Sequence, residues 1–158
     1  MIKFEKIKAV HLELSSFCNA RCPLCPRNFK GYPYNDGYKE TNLTLTQIQK
    51  IFDELFLQQL IKIYVNGNFG DMIMNPDAID ILNYFKSVNP LLDIKVSTNG
   101  SAKNAKFWQN LAKLATVEFC LDGLGDTHTL YRQNTNWNTI IKNAKTFINA
   151  GEIGRAHV

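Results

Sequence analysis

Three cysteines, Cys18, Cys22 and Cys25, fall in the run Ser16-Phe17-Cys18-Asn19-Ala20-Arg21-Cys22-Pro23-Leu24-Cys25-Pro26-Arg27, at spacings of four and three residues. Such spacing gathers three thiolates on one turn of loop or helix. Thiolates are soft ligands, suited to iron–sulfur clusters or to zinc. Their number discriminates between the two. A structural zinc site is normally closed by four protein ligands, usually as two separated pairs. Three cysteines on a four-iron cluster leave one iron open to an exogenous molecule. The remaining cysteine, Cys120, lies far away in an apolar segment. A non-catalytic module, with zinc or a cluster closed by Cys120 or by a partner's ligand, therefore stays as the alternative.

Apolar periodicity outlines the elements that must position these thiols. Ala9 to Leu14 alternates as a strand and leads directly into the cysteine loop. A turn-rich stretch follows from Asn28 to Asn42, whose tyrosines Tyr32, Tyr34 and Tyr38 read as an exposed loop. Thr44 and Gln47 form a capping box ahead of Ile48, Ile51, Phe52, Leu55 and Phe56 at helical spacing. Ile61 to Val65 is a buried strand, and Asn75-Pro76 opens a second helix with Ala78, Ile81, Leu82, Phe85 and Val88 on one face. Asp93 to Ser97 is a third strand, followed by a helix carrying Phe107, Trp108, Leu111 and Leu114. Val117 to Leu121 is the fourth strand. The last helix carries Trp137, Ile140, Ile141, Ala144 and Phe147, and Gly151 takes the place of a C′ glycine.

Strand–helix alternation of this kind implies a parallel sheet with right-handed crossovers. An eight-unit barrel takes about 250 residues, or roughly 31 per unit. Four βα units and the long first loop therefore use up the 158 residues of this chain.

Ligands of parallel α/β folds bind at the carboxyl ends of the strands. Each strand here is followed at that end by a polar or glycine-rich group. The first gives the cysteines and the second Asn66-Gly67-Asn68-Phe69-Gly70-Asp71. The third gives Ser97-Thr98-Asn99-Gly100, and the fourth Asp122-Gly123 with Arg132 shortly after. Any one of these has the composition of an ordinary βα turn. Four along one rim, the three cysteines among them, describe a binding site.

The cysteine run resembles the signature of the radical S-adenosylmethionine (radical SAM) superfamily, Cys-x3-Cys-x2-Cys after the first strand of a partial (βα) barrel. The resemblance reaches about Ala150 and is nearest to the branch bearing a SPASM or twitch extension. It implies a [4Fe-4S] cluster on Cys18, Cys22 and Cys25, with S-adenosylmethionine (SAM) chelated to the open iron. Reductive cleavage of SAM would then release a 5′-deoxyadenosyl radical that abstracts hydrogen from a substrate. Gly70 and Asp71 match the last Gly and Glu of the family's Gly-Gly-Glu motif, which holds the methionine ammonium. Ser97 and Asn99 match a segment facing the ribose. Cys120-Leu121-Asp122-Gly123 matches the family's Ser-Ile-Asp-Gly run, and Arg132 an arginine that pairs with the cofactor's carboxylate. Phe69 and Met72 depart from the motif's first glycine and its following proline. Leu24 replaces a common aromatic and keeps only an apolar wall near the adenine. The family also implies a low-potential electron donor of the flavodoxin or ferredoxin type, and a small-molecule or peptide substrate.

Other polar residues carry less. Cys120 reads as a buried inert thiol rather than one facing the site, His11 as a packed or hydrogen-bonded strand residue, and His128 as a solvated loop residue. A net charge of +4 without a Lys/Arg run does not indicate nucleic acid. No apolar stretch approaches the ~18 residues of a membrane span, and ligand cysteines without a secretory signal read as cytoplasmic. The radical SAM core is expected over residues 1–151. Residues 152–158, Glu-Ile-Gly-Arg-Ala-His-Val, are unlike the family and read as a non-native tail. The usual six strands would then be two short, leaving the fourth strand an uncovered apolar edge and the chain inactive alone.

Overall fold

Short runs of β-branched and aliphatic residues place five parallel strands side by side in chain order. They are β1 (Ala9–Leu12), β2 (Lys62–Val65), β3 (Asp93–Thr98), β4 (Thr116–Phe119) and β5 (Ala156–His157). The computed structural model describes residues 3–29, 32–33, 39–151 and 156–157. Register is continuous from Val10 to Ile63 to Ile94, and from Val96 to Val117. The expected bare edge at β4 is not found, because Val117 and Glu118 pair with Ala156 and His157 of β5. A two-residue hairpin, Asn28–Phe29 with Tyr32–Pro33, follows the cysteine loop. Tyr34 and Tyr38 lie outside the described residues.

Alternation along the strands decides which face is which. Ile63, Val65, Ile94, Val96, Val117 and Phe119 point one way into the core, against Ile81, Leu82, Phe85, Trp108, Leu111, Ile140 and Phe147. The other face carries Lys62, Tyr64, Lys95, Ser97 and Glu118, with cross-strand ion pairs Lys62–Asp93 at 2.8 Å and Lys95–Glu118 at 2.9 Å. An amphipathic sheet thus turns its apolar side to the helices and leaves a polar side open.

The helices are α1 (Leu45–Ile51), α2 (Glu54–Gln59), α3 (Ala78–Val88), α4 (Ala105–Leu111), α5 (Asp126–Tyr131) and α6 (Trp137–Ala150). The Thr44–Gln47 capping box is present at α1. The single helix expected over Ile48 to Phe56 is broken at Asp53, whose Oδ1 accepts from Phe56 N at 2.7 Å and starts α2. A side chain that bonds its own backbone competes with helix continuation, and the break leaves Ile51 and Leu55 exposed. Asn75 does not cap α3. It is fully buried; its Oδ1 accepts from Asp77 N at 2.8 Å, and its Nδ2 donates to Leu14 O and Leu43 O. That binds the start of α3 to the end of β1. Helix α5 was not legible in advance. Gly151 ends α6 with φ −104°, so no left-handed cap is formed there. None of the described helices is long and apolar enough to cross a membrane.

Candidate active site at the carboxyl rim of the sheet

The chain leaves β1 at Leu12 and folds the cysteines back over the rim. Within the loop, Cys25 N donates to Cys22 O at 3.1 Å and Asn28 N to Cys25 O at 2.9 Å, forming successive tight turns. Arg27 Nη1 donates to Cys18 O at 3.2 Å and ion-pairs with Glu40. From the far side, Arg21 N donates to Gln133 O and Asn134 Nδ2 to Asn19 O. The segment after α5 therefore braces the cysteine loop, although over a hundred residues separate them in sequence.

The loop after β2 is pinned at both ends. Glu13 accepts from Asn68 Nδ2 at 2.6 Å and from Phe69 N at 3.3 Å, and Asp71 N donates to Phe17 O at 2.8 Å. The Asp71 carboxylate is buried and turned inward. It accepts from Thr98 Oγ1, Asn99 N, Asn99 Nδ2 and Ile73 N, all at 2.8–3.2 Å. Burial pushes its pKa up, and these donors pull against that shift.

Between these loops lies a cavity of about 360 Å³. Its wall holds all three clustered cysteines, the loop from Asn66 to Asp71, the β3 end from Ser97 to Asn99, and Tyr131 and Arg132. Of the residues expected from sequence, Cys18, Cys22, Cys25, Gly70, Asp71, Ser97, Asn99 and Arg132 are thus brought together. Asp122 is not in the wall. Its carboxylate accepts from Arg132 Nε, so it sets the arginine from behind. Asn99 is 2 % exposed and engages the protein rather than open space. Ser97 Oγ donates weakly to Glu118 at 3.4 Å. Cys120 was expected to be inert, yet it lines the cavity and is only partly buried. Leu24 borders the cavity but is 82 % exposed, a poor adenine wall as it stands.

Sequence reasoning missed Arg27 and Glu13, and named Asn66 only as part of the polar run after β2. Both Asn66 and Arg27 line the cavity, and Asn66 Oδ1 and Arg27 Nε are buried there without a hydrogen-bond partner. The position of Arg27, two residues after the third cysteine, was the available signal. Glu13, two residues beyond His11 along the alternating strand, carried a weaker one. His11 behaves as expected, its Nε2 donating to Asn66 O at 2.8 Å.

His128 is a correction. It is not solvated but fully buried on α5, beside the Trp137 ring at 5.5 Å, with Nδ1 accepting from Asp122 N at 3.4 Å. Aromatic packing against α6 outweighs the polarity of the ring. Burial lowers its pKa, with the Arg132 charge adding and Asp122 opposing. A histidine with a depressed folded pKa leaves stability intact above its unfolded pKa near 6.5 and removes it as pH falls through the folded value. The thermal midpoint should therefore fall between pH 7.5 and 5, and His128→Phe should flatten that fall. Parallel pH profiles for the two proteins would refute the assignment.

The donor set suits an iron–sulfur cluster. Three thiols on one cavity wall, an unpartnered guanidinium N–H beside them and a backbone held by turns supply soft ligands and a hydrogen-bond donor. Among the described residues no three His, Cys, Asp or Glu side chains are grouped as ligands of one metal ion. Burial raises the Cys18 thiol to about 11, with the Asp71 charge adding, and burial also raises Cys22. Metal binding at these residues must displace protons.

The chain matches the Radical SAM superfamily over residues 12–154. No curated protein matches it. Among solved structures, Streptococcus suis SuiB bound to S-adenosylmethionine aligns with a TM-score of 0.72 and 16 % identity, over 94 % of this chain and 32 % of that one. The anSMEcpe structure with bound AdoMet and Cp18Cys peptide gives 0.66 and 15 %, over 94 % and 42 %. BtrN in complex with AdoMet and 2-DOIA gives 0.60 and 18 %, over 82 % and 50 %. The chain thus spans between about a third and a half of the length of these proteins, and at such identities what it shares with them is the fold. Together with that partial (βα) barrel, the match over most of its length shows that the chain belongs to the radical SAM superfamily.

Proposed function

We propose that this chain forms the SAM-binding core of a radical SAM enzyme, with Cys18, Cys22 and Cys25 as ligands of a [4Fe-4S] cluster. One observation carries the reading: the three cysteines share a cavity wall with the loops that end β2 and β3 and with Arg132. When bound and reduced, the cluster supplies the electron that cleaves the C5′–S bond of SAM to methionine and a 5′-deoxyadenosyl radical.

The chain's own residues bind and orient. Arg132, half-buried and set by Asp122, offers a cation to the SAM carboxylate. Asp71 places negative charge on the wall near Gly70, which suits an ammonium, while its hydrogen bonds lock the β3 end to the β2 loop. Gly70 lets backbone approach the ligand, and Ser97 and Asn99 stand on the ribose side. The solved neighbours that contain SAM support the assignment of the cofactor. A low-potential flavodoxin- or ferredoxin-type donor would deliver the electron. The substrate class we propose is a peptide or small molecule, in line with SuiB bound to its precursor peptide SuiA and BtrN bound to 2-DOIA.

Titration calorimetry on the reconstituted protein, with the cluster left oxidised so that SAM is bound and not cleaved, tests the reading. SAM should bind the wild type, and Arg132→Ala should weaken it by roughly 1.5–3 kcal/mol, the worth of a charge-assisted contact. Iron content should stay unchanged. Equal affinities for the two proteins would remove Arg132 from the site, and no binding to the wild type would remove the function.

A further inference from the structure

The side chain of Asn99 is held on every side. Its Oδ1 accepts from Ser101 N at 2.9 Å. Its Nδ2 lies 2.8 Å from Asp71 Oδ2, 3.0 Å from Asn19 Oδ1 and 3.7 Å from Cys18 Sγ. Asn19 is itself fixed, its Nδ2 donating to Ser101 Oγ at 2.7 Å. The orientation of the amide follows from its partners. A backbone N–H on one side demands the oxygen, and a carboxylate that accepts from four donors on the other demands the NH2. One amide hydrogen therefore points at Asp71, and the second lies between Asn19 Oδ1 and the Cys18 sulfur.

We infer that Asn99 is a positioning residue that donates an N–H hydrogen bond to the Cys18 sulfur and raises the reduction potential of the cluster held there. Asp71 acts through it by fixing the direction of the amide. The inference rests on the reading of Cys18 as a cluster ligand. Hydrogen bonds to ligand sulfurs are a principal means by which proteins set cluster potentials. A donor favours the reduced, more negative state, so its loss must lower the midpoint. A sulfur ligating iron as thiolate is also a stronger acceptor than the thiol, which strengthens this contact over the competing one to Asn19.

The test is an EPR-monitored redox titration of the reconstituted protein without SAM, with iron counted beforehand. Asn99→Ala and Asn99→Ser, the latter able to satisfy Asp71 but too short to reach Cys18, should both retain iron. Both should shift the one-electron reduction equilibrium about tenfold, a midpoint about 59 mV lower. Thr98→Val is the control. It removes another donor to Asp71, at 2.8 Å, but none to sulfur, so it should move the midpoint less than half as far. Unmoved midpoints in both Asn99 variants overturn the inference. So does an equal shift in Thr98→Val, which would assign the effect to the Asp71 charge alone. Where neither Asn99 variant holds iron, wild-type protein with side-chain 15N-asparagine decides by pulsed EPR of the reduced cluster. A coupled amide nitrogen upholds the bond, and its absence overturns it. Failure of the wild type to take up a four-iron cluster is a separate result that defeats the functional reading itself.

Discussion

Cys18→Ala, Cys22→Ala and Cys25→Ala should each abolish four-iron incorporation, while Cys120→Ala should leave iron content at the wild-type level. The argument is one of ligand number. A site with three protein ligands has none in reserve, and all three thiols stand on the wall of one cavity. Cys120 also lines that cavity, which is why its substitution is the informative control. It projects from the end of β4 toward Glu118 O, with its thiol 3.9 Å from that carbonyl. It belongs to a different loop from the triplet, and burial raises its pKa. Anaerobic reconstitution followed by iron and sulfide assay reads the result directly. Loss of metal in Cys120→Ala, with one zinc per wild-type chain, would instead establish a closed four-cysteine site.

Much of this site is written locally, and what is local was legible. The cysteine spacing, the Thr44 capping box and the turn residues after each strand depend on neighbours a few positions apart, so the sequence displays them openly. The order of the first four strands followed as well, because each simply pairs with the next, whereas β5 beside β4 was not anticipated. What could not be read were outcomes of competition between distant groups. Asp53 looks like one polar residue on a helix until its carboxylate is seen to accept from Phe56 N and break the helix. Asp71 looks like a ligand contact, and it does line the cavity. Its oxygens nevertheless face Thr98 and Asn99, donors 27 and 28 residues away. Asp122 likewise matches a binding motif but serves Arg132 from outside the wall. His128 shows the same rule in reverse, since the burial that overrides its polarity comes from Trp137 on the next helix. The motif located the site, and the long-range pairs determined which atoms face the ligand.

Gly70→Ala should eliminate measurable SAM binding and also lower stability, by about 1–3 kcal/mol if the strain is typical of overpacking. The reason is the closeness of two backbone segments. Asp71 N reaches Phe17 O at 2.8 Å, which draws the β2 loop against the chain leaving β1. A Cβ on Gly70 would collide with the Ser15 carbonyl oxygen and stand 2.6 Å from both Ser15 C and Ser16 Cα. All of these are backbone atoms. No rotamer can clear them, so relief requires the loops to separate. Separation would stretch the Asp71–Phe17 bond and displace the Asp71 carboxylate from Thr98 and Asn99. It would also move Ser16 and Phe17, which immediately precede Cys18. The same methyl at Gly125, with nothing within 4 Å, meets no steric barrier. Its positive φ of 56° carries only a local conformational cost. Gly125→Ala should therefore lose some stability but keep SAM affinity. Calorimetric titration and thermal melts of the two variants compare them under one set of conditions. Wild-type SAM affinity in Gly70→Ala would mean that the contact between the β1 and β2 loops does not shape the binding site.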